Sequence, residues 1–128
     1  MTTRARQLTP FDHRDRITLK GPTVRLPPKH ALTLTLTLHE LATNAAKYGA
    51  LARESGRLSI DWMVTEDGSQ RLLQLNWIET GVNRKDAPPV KGGFGSRLIR
   101  NGVVYDLQGT CEYRLQEDGL VCRLTVPF

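Results

Sequence analysis

The stretch LTLTLTLHELATNAAKYGAL, Leu32 to Leu51, decides the fold, because its two halves favour different secondary structures. The first half alternates leucine and threonine strictly, which is the period of a half-buried strand. The second half, His39 to Tyr48, is rich in alanine and favours a helix. Either the chain changes from strand to helix near Leu38, or one helix runs through both halves.

A single helix accounts for more of this region than a strand does. Helical spacing from Lys29 onward places apolar and small residues along one stripe, as in a helix that packs on a core. The stripe comprises Ala31, Leu34, Leu38, Leu41, Ala45 and Tyr48. Prolines at 27 and 28 are a helix-start signal, and Gly49 is a helix-end signal. Threonine costs only about half a kcal/mol per residue in a helix, so we predict one helix from Pro28 to Tyr48.

Short extended runs flank this helix. Upstream, Arg16–Lys20 and Thr23–Leu26 are extended runs around a Gly-Pro turn. Downstream, Arg57–Thr65 and Arg71–Glu79 are strand-like and are joined by EDGS, which predicts a hairpin.

The remainder of the chain continues the same mixture. Residues 80–93 are rich in glycine, proline and charge and are expected to form an irregular loop, and residues 96–107 are expected to form a helix. The last residues are expected to form a closing hairpin turned by Glu117-Asp118-Gly119. We therefore predict an α+β fold with two layers, in which helices cover one face of a mixed, mostly antiparallel sheet.

Composition limits the function classes. A chain of 128 residues is one domain of common size. The net charge of +5 favours anionic partners. No apolar run approaches the roughly 20 residues that span a bilayer, so a cytoplasmic location is expected. Cys111 and Cys122 are expected to be buried thiols rather than a disulfide, and His13, His30 and His39 are too scattered for a zinc site.

Three polar residues of the predicted helix share one face. Glu40, Asn44 and Lys47 fall within an arc of roughly 60°, away from the apolar stripe. Mg²⁺ takes oxygen ligands, keeps several waters and is often shared with substrate phosphates. The face therefore suits a magnesium and phosphate site, although an exposed helix face with a polar i,i+4 pair explains it equally well.

The segment WIETG places a carboxylate where a strand ends. Glu79 follows Trp77 on the strand, and Gly81 begins the loop. A carboxylate beside a glycine, where a flat ring can approach, suits an amino-bearing base such as adenine. The alternative is a strand-end acid that faces water.

The segment KGGFGSRLI is rich in glycine and opens into a predicted helix. Free backbone N–H groups and the positive end of a helix favour phosphate binding. It is not a Walker A loop, because no Gly-Lys-Ser/Thr follows. Ser96 is alternatively a helix N-cap.

Together these segments resemble the ATP-binding catalytic domain of sensor histidine kinases of the HWE subfamily, within the Bergerat fold of gyrase, Hsp90, histidine kinases and MutL. HELATNAAKYGAL is similar to the N box, WIETG to the W-x-E of the first glycine box, and GGFGSRLI to the second glycine box. The resemblance extends from about residue 14 to the end. It implies a catalytic domain over residues 15–128. Residues 1–14 are polar and basic without a clear period and are expected to be a tail or the stub of a preceding segment.

The resemblance implies ATP and Mg²⁺ as cofactors and assigns roles by position. Asn44 would be the Mg²⁺ ligand, and Glu40 would position or polarise the incoming acceptor. Glu79 would read the adenine amino group, with Gly81 beneath the base. The residues implied at the nucleotide are His39, Lys47, Tyr48, Glu79, Gly81, Gly93, Phe94, Gly95 and Ser96. The roles of the subfamily markers His39 and Trp77 do not follow from the sequence.

Two departures qualify the resemblance. The subfamily carries Gly-Gly-Pro after the glutamate, whereas this chain has Gly81-Val82-Asn83, so the hinge of the lid implied at residues 82–94 is expected to differ. These kinases also phosphorylate a histidine on a preceding helical dimerisation domain, and none of the three histidines lies in such a segment. The chain is thus expected to be a fragment, or a stand-alone domain that acts on a partner.

The predicted function is the catalytic domain of a two-component histidine kinase, whose partners would be the dimerisation domain and a response regulator, with no nucleic acid and no membrane. The alternative is a non-catalytic nucleotide-binding or pseudokinase module that regulates a protein partner. Nucleic-acid binding is a third hypothesis, but no aromatic platform interleaves the basic residues.

Overall fold

The computed structural model describes residues 15–83, 97 and 99–128, which form a five-stranded sheet with helices on one face. The strands are β1 (Ile17–Lys20), β2 (Arg57–Asp67), β3 (Gln70–Thr80), β4 (Thr110–Gln116) and β5 (Gly119–Pro127). Their order is β1-β2-β3-β5-β4, with β1 parallel to β2 and every other pair antiparallel. The predicted α+β class and mixed, mostly antiparallel sheet are confirmed.

The first helix, α1, spans Pro28–Tyr48, as predicted. The hydrogen bonds of its threonines show how the alternating leucine and threonine sequence is accommodated in a helix. Thr35, Thr37 and Thr43 each donate their hydroxyl to the carbonyl four residues earlier, at 2.7–2.8 Å. These bonds satisfy the hydroxyls within the helix, so the alternation is compatible with a helical backbone.

The second helix, α2, is helical at residues 97, 99 and 100 and continues as a wider π-type helix over Asn101–Asp106. The Leu107 N–H donates to the carbonyl of Gly102, five residues earlier, at 3.2 Å. The predicted helix at residues 96–107 is confirmed in its described part. α2 packs closely on α1, since a Cβ added to Gly102 would lie 3.2 Å from Cγ2 of Thr33.

The buried stripe of α1 differs from the prediction at both ends. Ala31 is exposed and Tyr48 is 54% exposed, whereas Thr37 is buried. The fully buried residues are Leu34, Thr37, Leu41 and Ala45. Thr37 joins the core because α2 lies over this part of α1, a contact that helical periodicity alone does not contain.

Both predicted hairpins are present with small differences. β2 and β3 are longer than predicted, and the turn between them contains Gly68, whose φ of +67° is readily adopted by glycine. The turn between β4 and β5 is residues 117–118, because Gly119 already pairs with Gln116.

The run Thr23–Leu26, predicted to be an extended strand, does not join the sheet. Val24 and Leu26 pack against the core without a neighbouring strand. Nearby, the Trp62 indole N–H donates to the carbonyl of Pro22 at 2.7 Å and ties this connection to β2.

The core lies between the inner face of the sheet and the two helices. Alternate residues of β3 and β5 supply much of it, namely Leu73, Leu75, Trp77, Leu120, Cys122, Leu124 and Val126. The same alternation along β3 places Glu79, which follows Trp77 by two residues, on the inner face as well. Strand period thus carries a carboxylate into the protein interior.

The two cysteines are free, as predicted. Cys122 is buried and Cys111 is half-buried, on neighbouring strands. Among the described residues, no helix is both long and apolar enough to cross a membrane.

Candidate functional site

Glu79 ends the inner face of β3 and is only 2% exposed. Its Oε1 accepts a hydrogen bond from the Ala50 backbone N–H, and its Oε2 accepts one from the Trp77 indole Nε1–H, both at 2.9 Å. The alternative of a strand-end acid facing water is therefore wrong. Since a buried carboxylate without hydrogen bonds is costly, these two donors explain how the charge is held inside.

Gly49 leaves room for this carboxylate. A Cβ added there would lie 2.1 Å from Oε1 of Glu79 and 3.0 Å from the Cα of Ala45. The backbone φ of Gly49 is −114°, so its conformation does not require glycine. The residue ends α1, as predicted, but glycine is needed because the strand-end carboxylate comes so close. We call Trp77, Glu79, Gly49 and Ala50 the carboxylate floor.

An arginine outside the predicted site holds the loop that supplies the Ala50 donor. The Arg16 guanidinium donates to the carbonyls of Ala50 at 3.3 Å and Gly56 at 3.5 Å, and to that of Arg53. Arg16 directly precedes β1, which pairs with the start of β2. No sequence signal identified this residue, because its partners lie 34 to 40 positions away.

Gly81, predicted to lie beneath a base, is exposed and has a φ of +78°. The Ser55 hydroxyl donates to its carbonyl at 2.9 Å, and a Cβ added to it would lie 2.2 Å from the Ser55 carbonyl oxygen. The next residue, Val82, is fully buried, and its N–H donates to the carbonyl of Asp118 at 2.8 Å. The segment that departs from Gly-Gly-Pro is thus anchored through Val82 to the turn between β4 and β5.

The predicted polar face of α1 has a different character. Glu40 and Asn44 are half-buried, and Lys47 is exposed. Within residues 15–83, 97 and 99–128, these three side chains make no hydrogen bond or ion pair with one another or with other residues. We call Glu40, Asn44 and Lys47 the α1 polar face. No described residue therefore occupies the oxygens of Glu40 and Asn44 or the ammonium group of Lys47, and these groups could bind a ligand.

Some of the predicted nucleotide residues lie at the ends of α1 and β3, and others lie outside the described residues. The end of α1 and the end of β3 meet at the carboxylate floor, where Ala50 follows Gly49. Of the neighbouring predicted residues, His39 and Tyr48 are exposed. Several predicted regions lie outside the described residues. They are the predicted tail at residues 1–14, the predicted lid from residue 84 onward, and the predicted nucleotide residues Gly93, Phe94, Gly95 and Ser96.

The donor set among the described residues limits the kind of metal site. No group of three or more histidine, cysteine, aspartate or glutamate side chains in this part of the chain is arranged to hold a metal ion. A transition-metal site built from several protein ligands is therefore absent from these residues. Mg²⁺ needs only one or two protein ligands beside phosphate oxygens and water, and the α1 polar face offers such ligands.

Comparisons of sequence find relatives among the histidine kinases. No protein-family model matches it. It is 40% identical over 125 residues to blue-light-activated histidine kinase 1 of Erythrobacter litoralis, covering 94% of this chain and 33% of the relative. It is 36% identical over 118 residues to the blue-light-activated histidine kinase of Brucella anthropi, covering 92% of this chain and 23% of the relative. The chain thus spans a third or less of these relatives.

Comparisons of structure give the same fold. The catalytic domain of histidine kinase ThkA superposes with a TM-score of 0.67 at 15% identity, covering 98% of this chain and 88% of that one. The histidine kinase domain of Erythrobacter litoralis EL346 superposes with a TM-score of 0.62 at 22% identity, covering 98% of this chain and 58% of that one. At these identities the likeness establishes the fold.

Proposed function

We propose that this chain, which belongs to the histidine kinases and has the fold of their catalytic domains, is the ATP-binding catalytic domain of an HWE-type kinase. It binds ATP with Mg²⁺ and presents the γ-phosphate to a histidine on a separate dimerisation domain, from which a response regulator is phosphorylated. The observation that carries the proposal is the carboxylate floor: Glu79 is buried and oriented beside the exposed Gly81, where α1 ends.

The floor suits an adenine base. A carboxylate accepts about four hydrogen bonds, and Glu79 uses one site on each oxygen for Ala50 and Trp77. Its remaining sites accept from a donor such as the exocyclic amine of adenine. Guanine presents a carbonyl oxygen at that position, which repels a carboxylate, so the site prefers ATP to GTP. Because water is largely excluded from Glu79, the bond to the amine is stronger than in solution.

The α1 polar face suits the phosphates and their cation. Asn44 and Glu40 are one helical turn apart and supply an amide oxygen and a carboxylate, which are ligand types for Mg²⁺. Lys47 supplies an ammonium group for the phosphates. Bound Mg²⁺ would neutralise charge on the β- and γ-phosphates.

The remaining chemistry of this chain is positioning. Phosphoryl transfer requires little covalent participation by protein side chains, because alignment and charge neutralisation lower most of the barrier. Glu40 orients or polarises the incoming imidazole. By the sequence resemblance, Gly93, Gly95 and Ser96 would line the phosphate end. Tyr48, exposed at the end of α1, approaches the ribose.

Calorimetric titration of Mg–ATP into the chain tests the proposal. We expect saturable binding that weakens about tenfold or more in Asn44→Ala and in Lys47→Ala. Lys29→Ala removes an exposed lysine at the other end of α1 and is the matched control, with binding unchanged. A folded wild-type chain that binds no ATP would contradict the proposal. Transfer of labelled phosphate from ATP to an added histidine-bearing dimerisation domain tests the catalytic step.

The second candidate is a nucleotide-binding module that regulates a partner without catalysis. It is favoured by Val82, which stands where the subfamily has the second glycine of Gly-Gly-Pro. Its side chain is fully buried and its N–H donates to the carbonyl of Asp118, so the start of the implied lid is held in place here. ATP binding without any transfer to the added acceptor would support this candidate over the first.

A further inference from the structure

We propose that Trp77 is a positioning residue that orients Glu79 to recognise the exocyclic amine of the base, and that base selectivity depends on its indole N–H. The inference rests on the proposed function, because it names the residue that sets the direction of the acceptor in the same site.

The indole is a fixed donor. Trp77 is 2% exposed and stands between β2 and β5, paired with Ile60 on one side and Cys122 on the other. It precedes Glu79 by two residues, so both side chains lie on the same face of β3. Trp77 belongs to the buried core, where close packing leaves its ring little room to turn, and its indole Nε1–H lies 2.9 Å from Oε2 of Glu79.

The two donors reach the carboxylate from two parts of the fold. Trp77 bonds Oε2 from within β3, and Ala50 bonds Oε1 from the loop after α1. One donor on each oxygen fixes the plane of the carboxylate and therefore the direction of its unused lone pairs. With the Ala50 bond alone, the group can rotate about that contact, and the acceptor direction toward a base is lost.

The charge of Glu79 makes this dependence stronger. Among the described residues, no lysine, arginine or histidine forms an ion pair with Glu79, and the two hydrogen bonds are the contacts by which this part of the chain holds the carboxylate. Hydrogen bonds to a charged group are worth about twice those between neutral groups. Removing the indole donor therefore weakens a large share of what holds the carboxylate in place.

The chain contains its own control. Trp62, the second of the two tryptophans, donates its indole N–H to the carbonyl of Pro22 at 2.7 Å and makes no hydrogen bond with Glu79. Trp62→Phe and Trp77→Phe each remove one indole donor, but only the latter removes a bond to the carboxylate floor.

The test compares two nucleotides in the full chain. Calorimetry measures the dissociation constants of Mg–ATP and of purine riboside triphosphate, which lacks the exocyclic amine. Wild type is expected to bind ATP more tightly than the analogue. In Trp77→Phe we expect ATP affinity to fall about tenfold while affinity for the analogue changes less than about twofold. Trp62→Phe is expected to leave the ratio of the two constants at its wild-type value.

Four other outcomes are possible, and each has a different meaning. Equal losses for both nucleotides in Trp77→Phe would mean that the ring only supports the fold, and would overturn the inference. Unchanged affinities for both nucleotides in Trp77→Phe would overturn it as well, because Glu79 would then be oriented without the indole. If wild type binds ATP but shows no preference over the analogue, base recognition fails while phosphate binding stands. If wild type binds neither nucleotide, the proposed function itself fails.

A measurement on the wild-type chain avoids any loss of folding in the variants. The indole N–H groups of Trp62 and Trp77 give two resonances in a nitrogen–proton correlation spectrum, and Trp62→Phe assigns them. We expect the Trp77 resonance to shift when ATP saturates the site and to shift less with the analogue, while that of Trp62 stays in place. A Trp77 resonance that does not respond to ATP would overturn the inference.

Discussion

The carboxylate floor and the α1 polar face belong to one candidate site, yet they differ in their hydrogen bonds to other residues of the protein. Both oxygens of Glu79 are bonded to protein donors, and Gly49 leaves room for one of them. Asn44, one turn before the end of α1, is half-buried and makes no hydrogen bond with the described residues.

This difference separates two kinds of energetic role. A substitution at the floor leaves buried donors without an acceptor, so it lowers the free energy of unfolding even when no nucleotide is present. A substitution on the polar face removes groups that make no hydrogen bond with the described residues, so we expect it to change ligand binding and to leave folding intact. The predictions below test this separation in order of decreasing effect on stability.

The largest effect is expected for Glu79→Ala. The Trp77 indole and the Ala50 N–H both lose their acceptor, and each unsatisfied buried donor costs about 1–3 kcal/mol, so the free energy of unfolding should fall by about 3 kcal/mol. Urea denaturation without nucleotide measures the change. Glu54→Ala, at an exposed position, is the control and should change the same quantity by less than about 0.5 kcal/mol. A similar small change in Glu79→Ala would remove the basis for a floor that stabilises the fold.

Gly49→Ala should have a somewhat smaller effect, because the fold can adjust. The added Cβ would lie 2.1 Å from Oε1 of Glu79, so the carboxylate or the end of α1 must move. We expect a loss of about 2 kcal/mol in the free energy of unfolding, within the range for overpacking of a tight site. Thermal denaturation of this variant beside Gly68→Asn measures it.

Gly68 is a suitable comparison because a Cβ there meets nothing within 4 Å. Its φ of +67° is tolerated by asparagine, so Gly68→Asn should unfold within a few degrees of wild type. If the two variants lose stability equally, the close approach of Glu79 is not what requires glycine at position 49.

Asn44→Ala should change stability little and binding strongly. With no hydrogen bond to the described residues to lose, its free energy of unfolding should stay within about 0.5 kcal/mol of wild type, while Mg–ATP affinity falls about tenfold or more. Denaturation and calorimetry on the same preparation measure both. Parallel losses in the two quantities would mean that Asn44 supports the fold and that the two regions do not differ as described.

The part of this site that could be predicted from sequence is the part that depends on local periodicity. The bounds of α1 followed from helical spacing, proline and glycine, and the threonine alternation was accommodated by hydroxyl bonds one turn back. Strand alternation also places Trp77 and Glu79 on one face of β3, but the hydrogen bond between their side chains was not predicted from it.

The remaining features depend on residues that are distant in sequence. The bond from Ala50 to Glu79 spans 29 positions, and the Arg16 contacts span 34 to 40. Thr37 is buried because α2 lies over it, and Val82 because its segment is tied to the turn between β4 and β5. These contacts follow from how strands and helices meet, and no pattern within one segment specifies them.

The last prediction concerns the reactivity of the cysteine pair, where a buried and a half-buried side chain can again be compared. Cys122 is fully buried and pairs with Trp77 of the floor, whereas Cys111 is half-buried on the edge strand β4. The hydrogen bond with the Cys122 side chain, and to a lesser extent the Arg100 guanidinium, lower the pKa of Cys111 to about 7, with partial burial acting in the opposite direction.

Because the thiolate is the reactive form, alkylation of Cys111 should increase through pH 7 and level off by about pH 8.5. Cys122, whose pKa is raised by its bond to Cys111 and by burial, should stay unmodified while the chain is folded. Iodoacetamide labelling between pH 5.5 and 9.5, roughly the range over which thiols titrate, followed by peptide mass spectrometry, measures both rates. In Cys122→Ala the midpoint should move upward, since the strongest influence on the Cys111 thiolate is removed. Equal labelling of both cysteines would show that the core beside Trp77 opens readily, and a floor held by such a core could not keep Glu79 in one orientation.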